Sequence, residues 1–203
     1  MRNTRYDHAP RLPATETIDL STVIPGEGEV FLEIGPGRGM FAVGWAEQSP
    51  NARVIALEIR RKLAALLDER LARKGLTHAR CFAEDAGLVL PRMQPTASVR
   101  HVAVHFPDPW WKKRHNKRLV LKDDFVTELA RLVVPGGTVV VQTDVEDRAL
   151  EYAARFEASP EFENVAGEKR WVDESPFAPA RSNREARAIE DGLPVYRMVF
   201  RRR

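Results

Sequence analysis

A strand, a glycine-rich loop and a helix follow one another between residues 29 and 48, and this order constrains the fold more than any other feature. Residues 29–34 (EVFLEI) form a run of apolar and β-branched residues that predicts a buried strand. The glycine loop 35–39 (GPGRG) follows it, and the pattern over 40–48 is helical. Because glycine has no Cβ, such a loop lets the backbone approach a ligand closely. The sequence therefore predicts the first half of a nucleotide-binding α/β unit.

Strands and helices alternate along the rest of the chain. Six further strands are predicted at 53–59, 79–83, 101–106, 138–143, 161–165 and 193–201. Helices are predicted from 60 to 74, around 125–133, at 145–157 and at 182–191. This alternation predicts an α/β fold: a Rossmann-like, doubly wound, mostly parallel seven-stranded sheet between helices, in three layers.

Composition sets bounds on the organisation and partners of the chain. Its 203 residues suit one domain at 28–203, preceded by a polar, flexible N-terminal arm at 1–27. No apolar run approaches the roughly 20 residues of a membrane span, and no leader is visible, so we expect no membrane partner and a cytoplasmic location. The single cysteine, Cys81, excludes an internal disulfide. Net charge is only +3, but basic residues cluster at 112–118 and near the end of the chain.

A stiff turn with one acid follows the predicted strand 101–106. Asp108 lies between Pro107 and Pro109, which restrict the backbone and disfavour a helix. Open α/β sheets place reactive groups at such strand ends. Trp110, Trp111 and five cations come next, and this combination favours an aromatic, anionic polymer such as nucleic acid as a partner; the cations are Lys112, Lys113, Arg114, Lys117 and Arg118.

The spacing of the glycines indicates which nucleotide-like ligand is bound. A dinucleotide fingerprint would need a third glycine where Met40 stands, which disfavours a dehydrogenase. The pattern E-x-G-x-G-x-G, from Glu33 to Gly39, instead resembles the first motif of class I S-adenosylmethionine methyltransferases, with Gly35 and Gly37 in the loop. Acids end three successive strands in a matching order. Glu33 can accept from an ammonium, Glu58 from two ribose hydroxyls, and Asp85 or its neighbour Glu84 from an adenine amine.

The segment FPDPWWKKRHNKRLV is very similar to the signature of the bacterial tRNA (guanine-N7-)-methyltransferases. Three further segments resemble that family, and the resemblance covers about 28–201: Thr143-Asp144, Ser182-Asn183-Arg184-Glu185 and the ending at 193–198. The resemblance implies a sheet whose last strand is antiparallel. It also implies S-adenosylmethionine as methyl donor, with S-adenosylhomocysteine as product. The implied acceptor is a guanosine in the tRNA variable loop (position 46 in tRNA numbering).

The resemblance also assigns roles to individual residues. The cofactor-side acids are Glu33, Glu58, Asp85 and Asp108, and Asp108 is also the implied catalytic residue. Substrate contacts fall on Lys112, Asp144, Ser182, Asn183, Arg184 and Glu185, and RNA contacts on Lys113, Arg114, Lys117 and Arg118. The chain departs from the family pattern at His105, Trp111 and Leu119, and Ser182 stands where threonine is usual.

The residues themselves are compatible with N7 methylation. Guanine N7 carries a free lone pair, so the site needs positioning and an anion near the migrating positive charge, and Asp108 fits that role. Asp144 or Glu185 could accept from the donors of the Watson–Crick edge, and Lys112 could donate to the carbonyl. Asp144 equally suits a helix cap. A catalytically silent RNA-binding protein and a methyltransferase acting on another base are the alternatives. No metal-ligand spacing is visible, and the sequence does not indicate whether the protein is a monomer or a homodimer.

Overall fold

The computed structural model describes residues 6–107 and 121–203. Several predicted functional residues lie outside these ranges: Asp108, Trp110, Trp111, Lys112, Lys113, Arg114, Lys117 and Arg118.

The described residues form a seven-stranded sheet with the predicted alternation of elements. Its strands are β2 (Val30–Ile34), β3 (Arg53–Leu57), β4 (Ala79–Phe82), β6 (Val99–His105), β7 (Val133–Thr143), β8 (Phe162–Asn164) and β9 (Tyr196–Arg202). Their order across the sheet is β4-β3-β2-β6-β7-β9-β8. The pairs from β4 to β7 are parallel, and β9 runs antiparallel to both of its neighbours. The Rossmann-like, mostly parallel sheet with an antiparallel last strand is therefore confirmed.

Helices cover both faces of this sheet and give it three layers. They are α2 (Met40–Gln48), α3 (Arg61–Arg73), the short α4 (Ala86–Val89), α5 (Asp123–Leu132), α6 (Glu146–Glu157) and α7 (Asn183–Glu190). Alternate residues of the central strands enter two separate cores. One core contains apolar residues of α2 and α3, and the other contains those of α4, α5 and α6. Neighbouring residues of one strand therefore face different helices.

The described part of the predicted arm packs against the domain. Residues 6–27 include a short strand, β1 (Ile18–Asp19), and a helical turn, α1 (Leu20–Val23), and β1 pairs with β5 (Met93–Gln94) in a second small sheet. Four apolar residues of this segment are buried in the core that contains α4, α5 and α6: Leu12, Ile18, Leu20 and Ile24. The sequence did not lead us to expect this packing, because the segment's apolar residues are too widely spaced to show a helix or strand period. The division into an arm and a domain remains a prediction.

Candidate active site

The glycine loop leaves open space at the carboxyl end of β2. Gly35, Gly37 and Gly39 all have positive φ, which residues with a Cβ rarely adopt. A Cβ on Gly39 would lie 2.2 Å from the Leu67 side chain, so this glycine allows the loop to pack on α3. A Cβ on Gly35 would meet nothing within 4 Å. The space above Gly35 is therefore available to a ligand that approaches the backbone.

Glu33 provides a buried carboxylate beside this loop. Its side chain is 1% exposed, and Oε2 has no hydrogen-bond partner. Burial raises the pKa of Glu33 above its ordinary value, and the ring of His105, 3.5 Å from Oε1, offsets part of that rise. A buried carboxylate with an unsatisfied oxygen is costly for the fold. An ammonium group bound there would supply both the missing donor and the missing positive charge.

Glu58, at the tip of β3, is buried and already has several donors. Its Oε2 accepts from the backbone N–H of Gly37 at 3.0 Å, and Oε1 accepts from the backbone N–H of Arg60 and from its Nε, both at 2.9 Å. The Arg60 side chain is 65% exposed. A pair of ribose hydroxyls that binds this carboxylate would displace the Arg60 guanidinium, which can move into solvent and leave the buried Glu58 to the ligand.

Replacing Arg60 with methionine should therefore tighten the binding of S-adenosylhomocysteine by a few-fold, because the ligand no longer competes with the Arg60 guanidinium for Glu58. Calorimetry with the purified chain measures this affinity. Arg61→Met is the matched control, since Arg61 pairs with Asp7 on the surface and should leave the affinity unchanged. A clear loss of affinity in Arg60→Met would show that Arg60 contacts the ligand instead of competing with it.

The structure distinguishes the two acids that follow β4. Glu84 accepts from Arg11 at 2.7 and 3.0 Å and from the backbone N–H of Leu12 at 3.0 Å, so the N-terminal segment occupies its carboxylate. Asp85 is exposed and caps α4 through one oxygen, Oδ1, which accepts from Gly87. The geometry therefore favours Asp85 over Glu84 as the acid available to an adenine amine.

The segment 182–185 lies beside the glycine loop. Ser182 caps α7 by accepting from the backbone N–H of Glu185 at 3.1 Å. The Asn183 amide lies 3.7 Å from the sulfur of Met40, the first residue of α2. The fold thus brings the residues predicted to contact the substrate next to those predicted to contact the cofactor.

One interpretation of the sequence predicted that Asp144 caps α6, and the structure shows that it does not. The N-cap position of α6 is Val145, without a side-chain cap. Asp144 instead accepts from the guanidinium of Arg184, and so the end of β7 is connected to the first turn of α7. The carboxylate is mostly buried, whereas the guanidinium is largely exposed. Asp144 is therefore held near the segment 182–185.

A row of polar side chains crosses the sheet beneath this site. Glu33 on β2, His105 on β6, Gln142 on β7 and Arg197 on β9 lie on the same face. Glu33 is paired with Ala103, two residues before His105, while His105 is paired with Gln142 and Gln142 with Arg197. Gln142 is fully buried, and neither of its amide atoms has a partner; the same is true of both ring nitrogens of His105. Sequence reasoning missed Gln142 and Arg197 as site residues. The signal in the sequence was a polar residue at an inward position near the end of a strand.

Two further properties concern the described parts of the chain as a whole. Within residues 6–107 and 121–203, no three His, Cys, Asp or Glu side chains come together as a metal-binding group. No helix among the same residues has the length and apolar composition to cross a membrane.

Comparisons with known proteins agree with this architecture. A profile of the family described as "Putative methyltransferase" matches residues 27–198. A tRNA (guanine-N(7)-)-methyltransferase of Anaeromyxobacter dehalogenans is 40% identical over 171 residues, covering 84% of each chain. The corresponding protein of Nostoc sp. is 37% identical over 176 residues, covering 85% of this chain and 80% of the other.

Solved structures resemble the fold at low sequence identity. The 16S rRNA methyltransferase KamB has a TM-score of 0.63 at 16% identity, with 90% of this chain and 92% of that chain covered. TrmN from Thermus thermophilus has a TM-score of 0.57 at 19% identity, with 91% and 47% covered.

The sheet topology and the open glycine loop, together with these structural likenesses, define the Rossmann-like fold of S-adenosylmethionine-dependent methyltransferases. Within that class, the identities and coverage above show that the chain belongs to the tRNA (guanine-N(7)-)-methyltransferase family.

Proposed function

We propose that this chain transfers a methyl group from S-adenosylmethionine to N7 of a guanosine in the variable loop of tRNA, at position 46. The observation that carries the proposal is the buried carboxylate of Glu33, whose unpartnered oxygen lies beside an open glycine loop in a chain of this family. Action on tRNA would place the protein in the cytoplasm, as the sequence predicts.

The cofactor site suits S-adenosylmethionine group by group. Glu33 binds the ammonium of the cofactor's amino acid end, and Gly35 and Gly37 leave room for that end beside the loop. Glu58 accepts from the ribose hydroxyls, and Asp85 accepts from the adenine amine. When bound, S-adenosylmethionine supplies an electrophilic methyl on a sulfonium. The phosphate-free ligand agrees with the lack of a dinucleotide fingerprint around Met40.

The residues of the chain orient the base and stabilise charge. Asp108, three residues beyond the end of β6 in the sequence, supplies the anion that stabilises the positive charge as it moves from sulfur to the purine. Guanine N7 needs no deprotonation, so no general base is required. Asp144 and Glu185 accept from the donors of the Watson–Crick edge of guanine, and Lys112 donates to the guanine carbonyl. Ser182, Asn183 and Arg184 form the wall around the base. Adenine presents a different donor and acceptor pattern on this edge and is therefore rejected.

Cations beyond Lys112 bind the RNA backbone in this proposal. Exchanging Lys113, Arg114 and Lys117 together for glutamine, with Arg118 kept, should weaken tRNA binding and reduce the salt slope of the affinity by roughly 2 units, because about three phosphate contacts are lost. Filter binding at several salt concentrations measures this slope. Arg201→Gln is the control, because Arg201 is already within ion-pair distance of Glu163. An unaltered slope in the triple variant would place the RNA on another surface.

The position of the target is tested with tRNA transcripts. We expect labelled methyl transfer to a transcript with guanosine at position 46 and almost none when that nucleotide alone is adenosine. Equal labelling of both transcripts would reject the variable-loop assignment, while the methyltransferase activity itself would stand.

A further inference from the structure

Arg197 makes an extended set of hydrogen bonds inside the domain. It lies on β9, and its side chain is 12% exposed. Its Nε and Nη2 donate to Oε1 of Glu185 at 3.1 and 3.0 Å. Its Nη1 donates to the backbone carbonyl of Asp173 at 2.9 Å. Arg197 is therefore fixed by two separate parts of the chain and is directed at one oxygen of one carboxylate.

This arrangement leaves Glu185 with one free acceptor. Two donors already occupy Oε1, whereas Oε2 is buried and has no hydrogen-bond partner. The Arg197 guanidinium forms an ion pair with Oε1 at 3.0 Å. A buried anionic oxygen without a donor is costly, and an ion pair selected only for stability would be expected to satisfy both oxygens.

A cavity adjoins Glu185 and Arg197. A pocket of about 260 Å³ is lined by Glu185 and Arg197 together with residues of the loop that precedes α7, among them Asp173, Ser175 and Arg181. This loop supplies both the wall of the cavity and the backbone carbonyl that holds Arg197. Glu185 therefore borders this cavity, and its buried Oε2 still lacks a donor.

The register of the sheet relates this carboxylate to Asp144. Arg197 is paired with Gln142 across β7 and β9, two residues before Asp144. The consecutive residues Arg184 and Glu185 then bind Asp144 and Arg197 respectively. In one ion pair α7 supplies the arginine, and in the other it supplies the carboxylate. Together they fix the first turn of α7 against the ends of β7 and β9, and they set the position of Glu185 relative to Asp144.

We propose that Arg197 is a positioning residue for guanine recognition: it binds one oxygen of Glu185 and so leaves the other oxygen for the N–H donors of the base. This inference rests on the proposed function, because it names the residue that orients a substrate-binding acid. Arg197 itself does not contact the base. Its burial against Glu185 also keeps it from contacting RNA phosphates.

Kinetics of Arg197 variants with tRNA provide the test. Arg197→Met should lower kcat/KM for tRNA about 30-fold, since Glu185 loses both its orientation and its counter-charge. The affinity for S-adenosylhomocysteine should stay within about twofold, because the cofactor acids do not contact Arg197. Arg201→Met is the matched control on the same strand and face, and its kcat/KM should be unchanged.

A double-mutant cycle separates positioning from a purely structural role. If Arg197 acts through Glu185, Arg197→Met should add less than about twofold to the loss already caused by Glu185→Gln. The proposal is overturned if the losses of the two single variants multiply in the double variant, or if Arg197→Met keeps the full kcat/KM.

Arg197→Lys covers the case in which the methionine variant does not fold. Lysine keeps the charge but not the planar pair of donors, so kcat/KM should fall about 10-fold. Wild-type kcat/KM in Arg197→Lys would contradict the proposal. A wild-type product other than 7-methylguanosine would instead reject the proposed function, and so the two failures are distinguishable.

Discussion

Asp108→Ala should remove nearly all methyl transfer and leave tRNA binding nearly intact. In the sequence Asp108 comes shortly after a buried strand and between two prolines, so we expect it at the edge of the sheet where the sulfonium is also expected. Loss of a preorganised charge next to the reacting atoms typically lowers kcat by about 10²- to 10³-fold. Single-turnover transfer of a labelled methyl group measures the chemical step, and gel shift with the same tRNA measures binding.

Two further variants sharpen this experiment. Asp108→Asn keeps the shape and removes the charge, and it should lose almost as much activity as the alanine variant. Asp124→Asn is the control, because Asp124 is an exposed acid in the first turn of α5, outside the site. Unchanged turnover in Asp108→Asn would show that the negative charge of Asp108 takes no part in the reaction.

Glu33→Gln should weaken the binding of S-adenosylhomocysteine and at the same time raise the stability of the protein. Binding falls by about 30- to 100-fold, because a buried carboxylate that meets an ammonium is replaced by a neutral amide. Stability rises because the unliganded fold no longer buries a charge whose Oε2 lacks a donor. Calorimetry with the ligand and thermal melting without it measure the two effects.

The pH dependence of this gain in stability follows from the direction of the pKa shift. Burial raises the pKa of Glu33 in the folded chain above its unfolded value of 4.5. Folding therefore favours the protonated acid, and ionisation destabilises the fold progressively as the pH rises from the unfolded pKa through the folded one. The melting temperature of Glu33→Gln should exceed that of the parent at pH 8 and approach it at pH 4. An equal difference at both pH values would contradict an elevated pKa.

The architecture and the cofactor acids could be predicted from the sequence for a simple geometric reason. Carboxyl ends of parallel strands meet at one edge of a sheet, so acids that end successive strands must lie near one another. Glu33, Glu58 and Asp85 are brought to that edge by β2, β3 and β4. Their roles remain proposals, but their proximity required only the strand order.

Other features depended on contacts between distant segments. Glu84 and Asp85 are equivalent in sequence, and only the packing of Arg11 on Glu84 distinguishes them. Asp144 had the position of a helix cap, yet the first turn of α7 provides its partner. Nothing near Arg197 in the sequence indicates its partner, Glu185, which the packing of α7 against β9 provides. In each case the deciding partner is at least 12 residues away in the chain, and no local pattern encodes it.

The central claim is tested most directly by the identity of the modified nucleoside. Wild-type protein is incubated with labelled S-adenosylmethionine and bulk tRNA, and the RNA is then digested to nucleosides and separated by chromatography. We predict that the label elutes with 7-methylguanosine and that heat-inactivated protein gives none. Label in a different methylated nucleoside, or in no nucleoside from active protein that binds S-adenosylhomocysteine, would contradict the proposed reaction.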